Sequence, residues 1–231
     1  MTDEAPGLPR TPPHPCPYLP GLQARERAFL ADRLDPEDYH DLMDRGFRRS
    51  GDLFYAPDCP GCRRCVPIRV PVATFRRSRS QRRVLARNRD LHTEARPPVL
   101  TAETWQLYRR YLRFQHGSAA GDETAASLRA NLYAPVVDTV EMVYRLGGRT
   151  VAISLLDVCT RSVSAVYHFF DPDLAARSLG VFSVLHEIEW TRAQGIAHYY
   201  LGYWVEHAPT MQYKANYRPH ELLRGGIWQP E

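Results

Sequence analysis

Beyond residue 100 the apolar positions alternate between two periods. In ETWQLYRRYLRF, Trp105, Tyr108 and Leu112 recur three and four residues apart behind Thr101, which predicts a capped helix reaching about Phe114. After a polar loop at 117–123 and a short helix at 124–132, EMVYRL, VAISLLDV and VSAVYHFF read as three strands. Gly147-Gly148 and CTRS separate them, and Asp171-Pro172 closes the meander. Arg177-Ser178-Leu179-Gly180 leads into the amphipathic helix VFSVLHEIEWTRAQ, ended by Gly195. AHYYLGYW is another strand, and a last short one is expected near 221–227.

Upstream, the pattern is less regular. Pro12, Pro13, Pro15, Pro17 and Pro20 keep residues 1–21 out of regular hydrogen bonding. Asp35 caps a helix with Pro36 at its first position and Gly46 past its end. LFYA (53–56) and VPIRVPV (66–72) are short strands, and SRSQRRVLARNRDL opens a helix at Ser78 or Ser80 that runs to about Asn88. Composition shifts at Arg96-Pro97-Pro98, so a domain boundary is placed there. A smaller α+β domain, 1–98, precedes an α+β domain, 99–231, with a mostly antiparallel sheet. Antiparallel strands followed by a helix and a further strand are the layout of acyltransferases that pass an acyl group from a carrier to an amine.

The 231 residues suffice for one large domain or two small ones. No window approaches the ~18 uninterrupted apolar residues of a membrane helix. The acidic, then Pro-rich start shows no secretory pattern, so a cytoplasmic protein without a membrane partner is expected.

Charge sharpens this picture. The chain holds 29 Arg and one Lys, Lys214. Residues 1–100 carry 18 Arg against 13 acids, whereas the remainder carries 11 Arg and Lys214 against 13. Within 63–89 there are ten arginines and no Asp or Glu. Such a stripe repels itself unless an anion neutralises it, and nucleic-acid phosphate is the commonest one. The other reading is a solvated face enriched in Arg by codon bias, which accounts for Arg over Lys but not for the missing acids.

Of five cysteines, Cys59, Cys62 and Cys65 share CPGCRRC and Cys16 lies in HPCPYLP. Thiolates spaced by two residues converge on one ion, with Cys16 as a fourth ligand, which points to zinc or an iron–sulfur cluster. Reduced cysteines in a tight loop are the alternative. Cys159, in an apolar run, reads as core. His186-Glu187 has no second histidine four residues on, which excludes a zinc-protease helix and leaves His186 as an interior side chain.

HPCPYLP, GFRRSGDLFY, CPGCRRCVPIRVPV, SRSQRRVLARN, YHFFDP with SLG, and YLGYWVEHAPTMQYKANYRP stand in the order and spacing of the bacterial aminoacyl-tRNA–protein transferases. The chain resembles that family over about residues 14–224. Within it the likeness is to the aspartate/glutamate leucyltransferase group, relatives of eukaryotic arginyl-tRNA–protein transferase. The resemblance implies a GNAT-type acyltransferase half preceded by a smaller N-terminal half; a monomer is expected. It also implies transfer of leucine from leucyl-tRNA to the N-terminal amine of proteins starting with Asp or Glu, marking them for degradation by the N-end rule pathway. QHGSAA (115–120) departs from the family, where an Arg-His pair and a following methionine are expected. This puts a role for Gln115 or the 117–123 loop in doubt.

The chemistry asks little of the protein. An aminoacyl ester is already activated, so no ATP is required, and GxxxxGK[ST] is absent from the sequence. Aminolysis needs a neutral amine held in line and donors for the tetrahedral oxyanion. An N-terminal amine with pKa near 8 is partly neutral at pH 7, so a modest base or a water relay suffices. Lys214, Tyr203 and Asp157 are the expected reacting set, with Glu206 as another base. The acceptor's side-chain carboxylate calls for Arg48, Arg49 or Arg69. The first amides of the RSLG helix, at Ser178 and Gly180, form an anion cradle. Lys214 is expected to contact an acyl-donor oxygen, the terminal phosphate or the acceptor carboxylate, with Tyr213 beside it. Tyr203 and Trp204 line the aminoacyl pocket, stack on the terminal adenine, or are ordinary core. Arg76, Arg77, Arg79, Arg82, Arg83 and Arg87 are expected to read tRNA phosphates. Two other functions stay open: the same transfer with arginine as donor, and a metal-stapled nucleic-acid binder without catalysis.

Overall fold

The computed structural model describes residues 7–117 and 123–231. A two-residue pair, β1 (His14–Pro15) with β2 (Gln23–Ala24), precedes β3 (Glu26–Leu30), α1 (Pro36–Asp44), β4 (Arg48–Ser50) and β5 (Leu53–Pro57). β3, β5 and β4 form a three-stranded antiparallel sheet in the order β3-β5-β4. Asp35 sits at the α1 N-cap with Pro36 following it, as the sequence predicts.

The second sheet has eight strands: β6 (Val66–Pro71), β7 (His92–Arg96), β8 (Thr139–Leu146), β9 (Arg149–Val158), β10 (Ser162–Phe170), β11 (His198–Trp204), β12 (Glu221–Arg224) and β13 (Ile227–Pro230). Their order is β13-β12-β6-β11-β10-β9-β8-β7, and only β10 and β11 run parallel. The expected single strand near 221–227 is thus a hairpin, and β1 to β4 and β7 were not expected. β7 reads HTEAR on a mostly exposed edge, so it carries no apolar alternation to announce it. β9 is buried along eight consecutive residues because helices cover both faces of the sheet there, which explains its unbroken apolar sequence.

One face carries α2 (Arg79–Arg87) and α5 (Leu179–Ala193); the other carries α3 (Ala102–His116) and α4 (Ala125–Leu132). Ile68, Tyr144, Leu156, Leu185 and Ile188 pack the first face, while Leu107, Leu112, Leu128, Ile153 and Phe169 pack the second. Tyr39 and Met43 of α1 join Phe54, Val137 and Tyr200 in a third cluster that locks the small sheet onto the large one. β6 and β7 both precede residue 98, yet each is a strand of the large sheet, so the boundary at 96–98 falls on a connection leaving that sheet. Among the described residues no helix is long and apolar enough to cross a membrane.

Candidate active site

β10 and β11 pair only at Ser162–Ser164 against His198–Tyr200. Beyond that point the parallel strands part. β10 slips register against β9 between Ala165 and Tyr167, and β11 slips against β6 between Tyr200 and Gly202. Irregularities of this kind re-aim side chains beside functional openings. Gly202 has φ +86°, a left-handed value that favours glycine.

Two cations flank Gly202. A Cβ there would stand 3.6 Å from Lys214 Nζ and 3.7 Å from the Arg48 guanidinium carbon. Lys214 belongs to a 3-10 turn, Tyr213–Asn216, that follows the short helix α6 (Pro209–Gln212). Its ammonium donates to the Tyr203 carbonyl at 2.9 Å and lies 3.6 Å from the Met211 sulfur. It is only 9 % exposed, and burial, followed by the Arg48 charge, brings its pKa down to about 7. Arg48 reaches from β4 across to β10, donating to Ser164 Oγ at 2.7 Å and to the Ala165 carbonyl. Among the described residues neither cation has a carboxylate within ion-pair distance. A buried ammonium beside a half-buried guanidinium, neither with a counter-ion among the described residues, is suited to receive an anion.

Several expected participants are engaged elsewhere. Arg49, next to Arg48 but on the opposite face of β4, donates to both Asp157 oxygens at 2.6 and 2.7 Å. Both side chains are fully buried, and Thr139 adds a bond to the same carboxylate. Asp157 is therefore the counter-ion of Arg49 and not a base, and Arg49 has no free fork for a substrate. Arg69 is held by Glu221, Asp44 and Tyr200, with its guanidinium 4.2 Å from the Trp228 ring centre. Tyr203 offers its carbonyl to Lys214, while its hydroxyl donates to Gly46 O at 2.9 Å and burial holds its pKa far above the usual range. The phenol is thus unsuited to proton transfer. Half-buried Trp204 and exposed Glu206 line a cavity of about 710 Å³ with Arg63 and Arg64 that shares Cys59, Cys62 and Cys65 with the cavity around Cys16.

Across the split, α5 begins at Ser178, whose φ of 58° is left-handed and whose side chain makes no capping bond. A Cβ on Gly180 would lie 3.8 Å from His168 on β10, so the helix N-terminus faces the strand that has parted from β11. α2 links the two sides. At its start Gln81 donates to the Asn216 carbonyl, two residues beyond Lys214; at its end Arg87 and Asn88 donate to the carbonyls of Ala176 and Arg177, just before Ser178. Ser78 caps it reciprocally with Gln81. Arg76, Arg77, Arg79, Arg82, Arg83 and Arg87 are all exposed, and of these Arg77 pairs with Glu189 at 3.0 Å. The arginine stripe accordingly runs along the rim between the Lys214 turn and the α5 N-terminus.

Cys16, Cys59, Cys62 and Cys65 all line one cavity of about 480 Å³ with Tyr18, Leu22, Tyr55 and Tyr203. Burial and the neighbouring thiols push the Cys65 pKa up to about 12, so it is protonated. Among the described residues no three His, Cys, Asp or Glu side chains are arranged to hold a metal ion. Cys159 is buried core. The 117–123 loop lies mostly outside the described residues.

The sequence did not reveal a buried network beneath the split. Tyr144 donates to Glu187 at 2.9 Å, Tyr199 donates to its other oxygen, and Ser154 bonds the same carboxylate. Ser154 also meets His168 Nδ1 at 2.8 Å, and burial lowers the His168 pKa to about 4, so the ring is neutral. The HE pair in α5 was a signal, but its partners come from β8, β9 and β11. His186 is half-buried and bonds Thr93 at 3.0 Å, an interior role as expected.

Two family profiles match: Arginine-tRNA-protein transferase, N terminus, over residues 14–83, and Arginine-tRNA-protein transferase, C terminus, over residues 103–224. The chain is 42 % identical over 227 residues to an aspartate/glutamate leucyltransferase from Halorhodospira halophila, covering 96 % of each chain. It is 40 % identical over 221 residues to one from Chromobacterium violaceum, covering 95 % of this chain and 91 % of that protein. Among solved structures, the C-terminal domain assigned as a lysylphosphatidylglycerol synthetase from Agrobacterium fabrum shares the fold, with a TM-score of 0.53 and 17 % identity. That match covers 88 % of this chain and 65 % of that one.

Proposed function

The chain belongs to the arginine-tRNA–protein transferase family, and on that premise we propose that it transfers leucine from leucyl-tRNA to the N-terminal amine of proteins beginning with Asp or Glu. Such an acceptor becomes an N-end rule degradation signal. The observation that carries the assignment of roles is the pairing of buried Lys214 with half-buried Arg48 at Gly202, without a carboxylate. The acceptor's side-chain carboxylate supplies that missing charge.

The acceptor enters from the cavity of Tyr18, Tyr55 and Tyr203, and the donor's 3′ end from the side of α2 and α5. With a pKa of about 7, Lys214 is roughly half neutral at pH 7. An arriving carboxylate favours its ammonium form, so neutral Lys214 takes the proton from the acceptor's α-ammonium. The resulting amine attacks the ester carbonyl, and the tetrahedral oxyanion forms beside the two cations. Collapse breaks the bond to the ribose oxygen, which takes the proton held by Lys214, and the nitrogen releases its other surplus proton to water as the amide forms. Asp157, paired with Arg49, takes no part.

Separately labelled leucyl-tRNA and arginyl-tRNA, offered with an Asp-initiated peptide, test the donor. Leucine transfer at least tenfold faster supports the assignment; equal or faster arginine transfer reverses it, and no transfer from either leaves a binding protein. We further propose that Cys16, Cys59, Cys62 and Cys65 bind zinc or an iron–sulfur cluster as thiolates. A brown protein indicates a cluster and zinc released to a chelator indicates zinc, whereas a colourless, zinc-free active protein refutes the site.

A further inference from the structure

Among the described residues Phe114 and Tyr213 are the only Phe, Tyr or Trp side chains left exposed, at 55 % and 42 %. Phe114 opens from an aromatic cluster. Phe114, on the last turn of α3, lies 6.3 Å from Phe170 between ring centres, and Tyr111 approaches Phe170 at 5.2 Å. Phe170 ends β10 and stacks on His168 at 5.9 Å and 27°. His168 in turn faces Gly180 at the start of α5. Tyr213 immediately precedes Lys214 and leaves its ring exposed beside the buried lysine. Aromatic contacts therefore lead from the α5 N-terminus out to Phe114, and Tyr213 opens next to the buried lysine.

Its surroundings are cationic. Arg113 precedes Phe114 and is exposed, and Arg109 sits 5.7 Å from the Trp105 ring centre. Neither has an ion-pair partner among the described residues. Open aromatic faces among unpaired arginines, on the route to an anion site, suit a strand that is both anionic and planar. An apolar peptide would gain nothing from the arginines, and a duplex cannot present its base faces.

We propose that Phe114 and Tyr213 are the stacking platform for the unpaired 3′-terminal bases of the donor RNA, with Phe170 and Tyr111 backing Phe114. This rests on the assignment of an aminoacyl-tRNA donor. It also moves the stacking role from Tyr203, which is buried with its hydroxyl engaged, and from Trp204, which faces the cavity of Arg63 and Arg64.

The test uses the full chain and a tRNA whose terminal adenine is replaced by 2-aminopurine, a base whose fluorescence falls on stacking. Wild-type protein is expected to quench the probe. Phe114→Ala is expected to lose the quenching and about tenfold in affinity, the order of one base–aromatic stack, with the salt slope of binding unchanged. Phe114→Trp restores both, whereas Phe114→Leu, apolar but not aromatic, restores neither. Tyr213→Leu behaves like Phe114→Ala. Changing Arg82, Arg83 and Arg87 together to Ala flattens the salt slope and keeps the quenching. Binding without quenching in the wild type overturns the platform alone, as does full rescue by Phe114→Leu, which marks simple apolar packing. No binding of any tRNA overturns the donor assignment as well.

Discussion

Replacing Lys214 by Met removes the buried ammonium and keeps an unbranched side chain of similar length. In the folded protein Lys214 titrates at about 7, against an ordinary 10.5, and the gap corresponds to about 5 kcal/mol. Because the folded pKa is depressed, the unfolded chain binds more protons between pH 7 and 10.5, and stability rises with pH across that window. The burden of this lysine on the fold is about 4 kcal/mol at pH 7 and about 2 kcal/mol at pH 9. Lys214→Met relieves it and loses the bond to Tyr203 O, about 1 kcal/mol. The variant should therefore be more stable than wild type by roughly 3 kcal/mol at pH 7 and by roughly 1 kcal/mol at pH 9, while leucine transfer falls by at least about 100-fold. Urea unfolding at the two pH values, with transfer kinetics on the same preparations, measures all of this. A Lys214→Met protein that is less stable at pH 7, or whose advantage does not shrink with pH, refutes the reasoning.

Asp157→Asn leaves Arg49 buried without its counter-ion and should cost about 3–5 kcal/mol in urea unfolding, while kcat of the folded protein changes less than a few-fold. A large loss of kcat with little change in stability would restore Asp157 as a reacting group. Leucyl-tRNA affinity should fall steeply with salt, and changing Arg82, Arg83 and Arg87 to Ala should lower the slope of log affinity against log salt by about 2. Unchanged slopes would separate the α2 stripe from RNA binding.

The regular elements with strong periodicity were legible. Thr101 and Ser78 cap the helices expected of them, and the three-strand meander stands at the expected residues. β7 and β4 were not, since HTEAR and RRS owe their strand state to partners across the sheet. Within the site, the solitary lysine is a buried group with a lowered pKa. The adjacent arginines show the limit of inference from sequence. Alternation along β4 sends Arg49 to Asp157, 108 residues away, and Arg48 to the split in the large sheet. Sequence proximity made the two equivalent; only tertiary pairing separates them. Glu187 was hidden for the same reason, since Tyr144, Ser154 and Tyr199 reach it from three strands.

The claim that Arg48 and Lys214 receive the acceptor's carboxylate is tested most directly by kcat/KM for leucine transfer to Asp-initiated and Asn-initiated peptides, in wild type and in Arg48→Met. A charge-assisted bond to a buried carboxylate contributes about 2–3 kcal/mol, so wild type should prefer the Asp peptide by roughly 100-fold. In Arg48→Met that preference should collapse to a few-fold, mainly through slower transfer to the Asp peptide. A variant that retains the full preference contradicts the account.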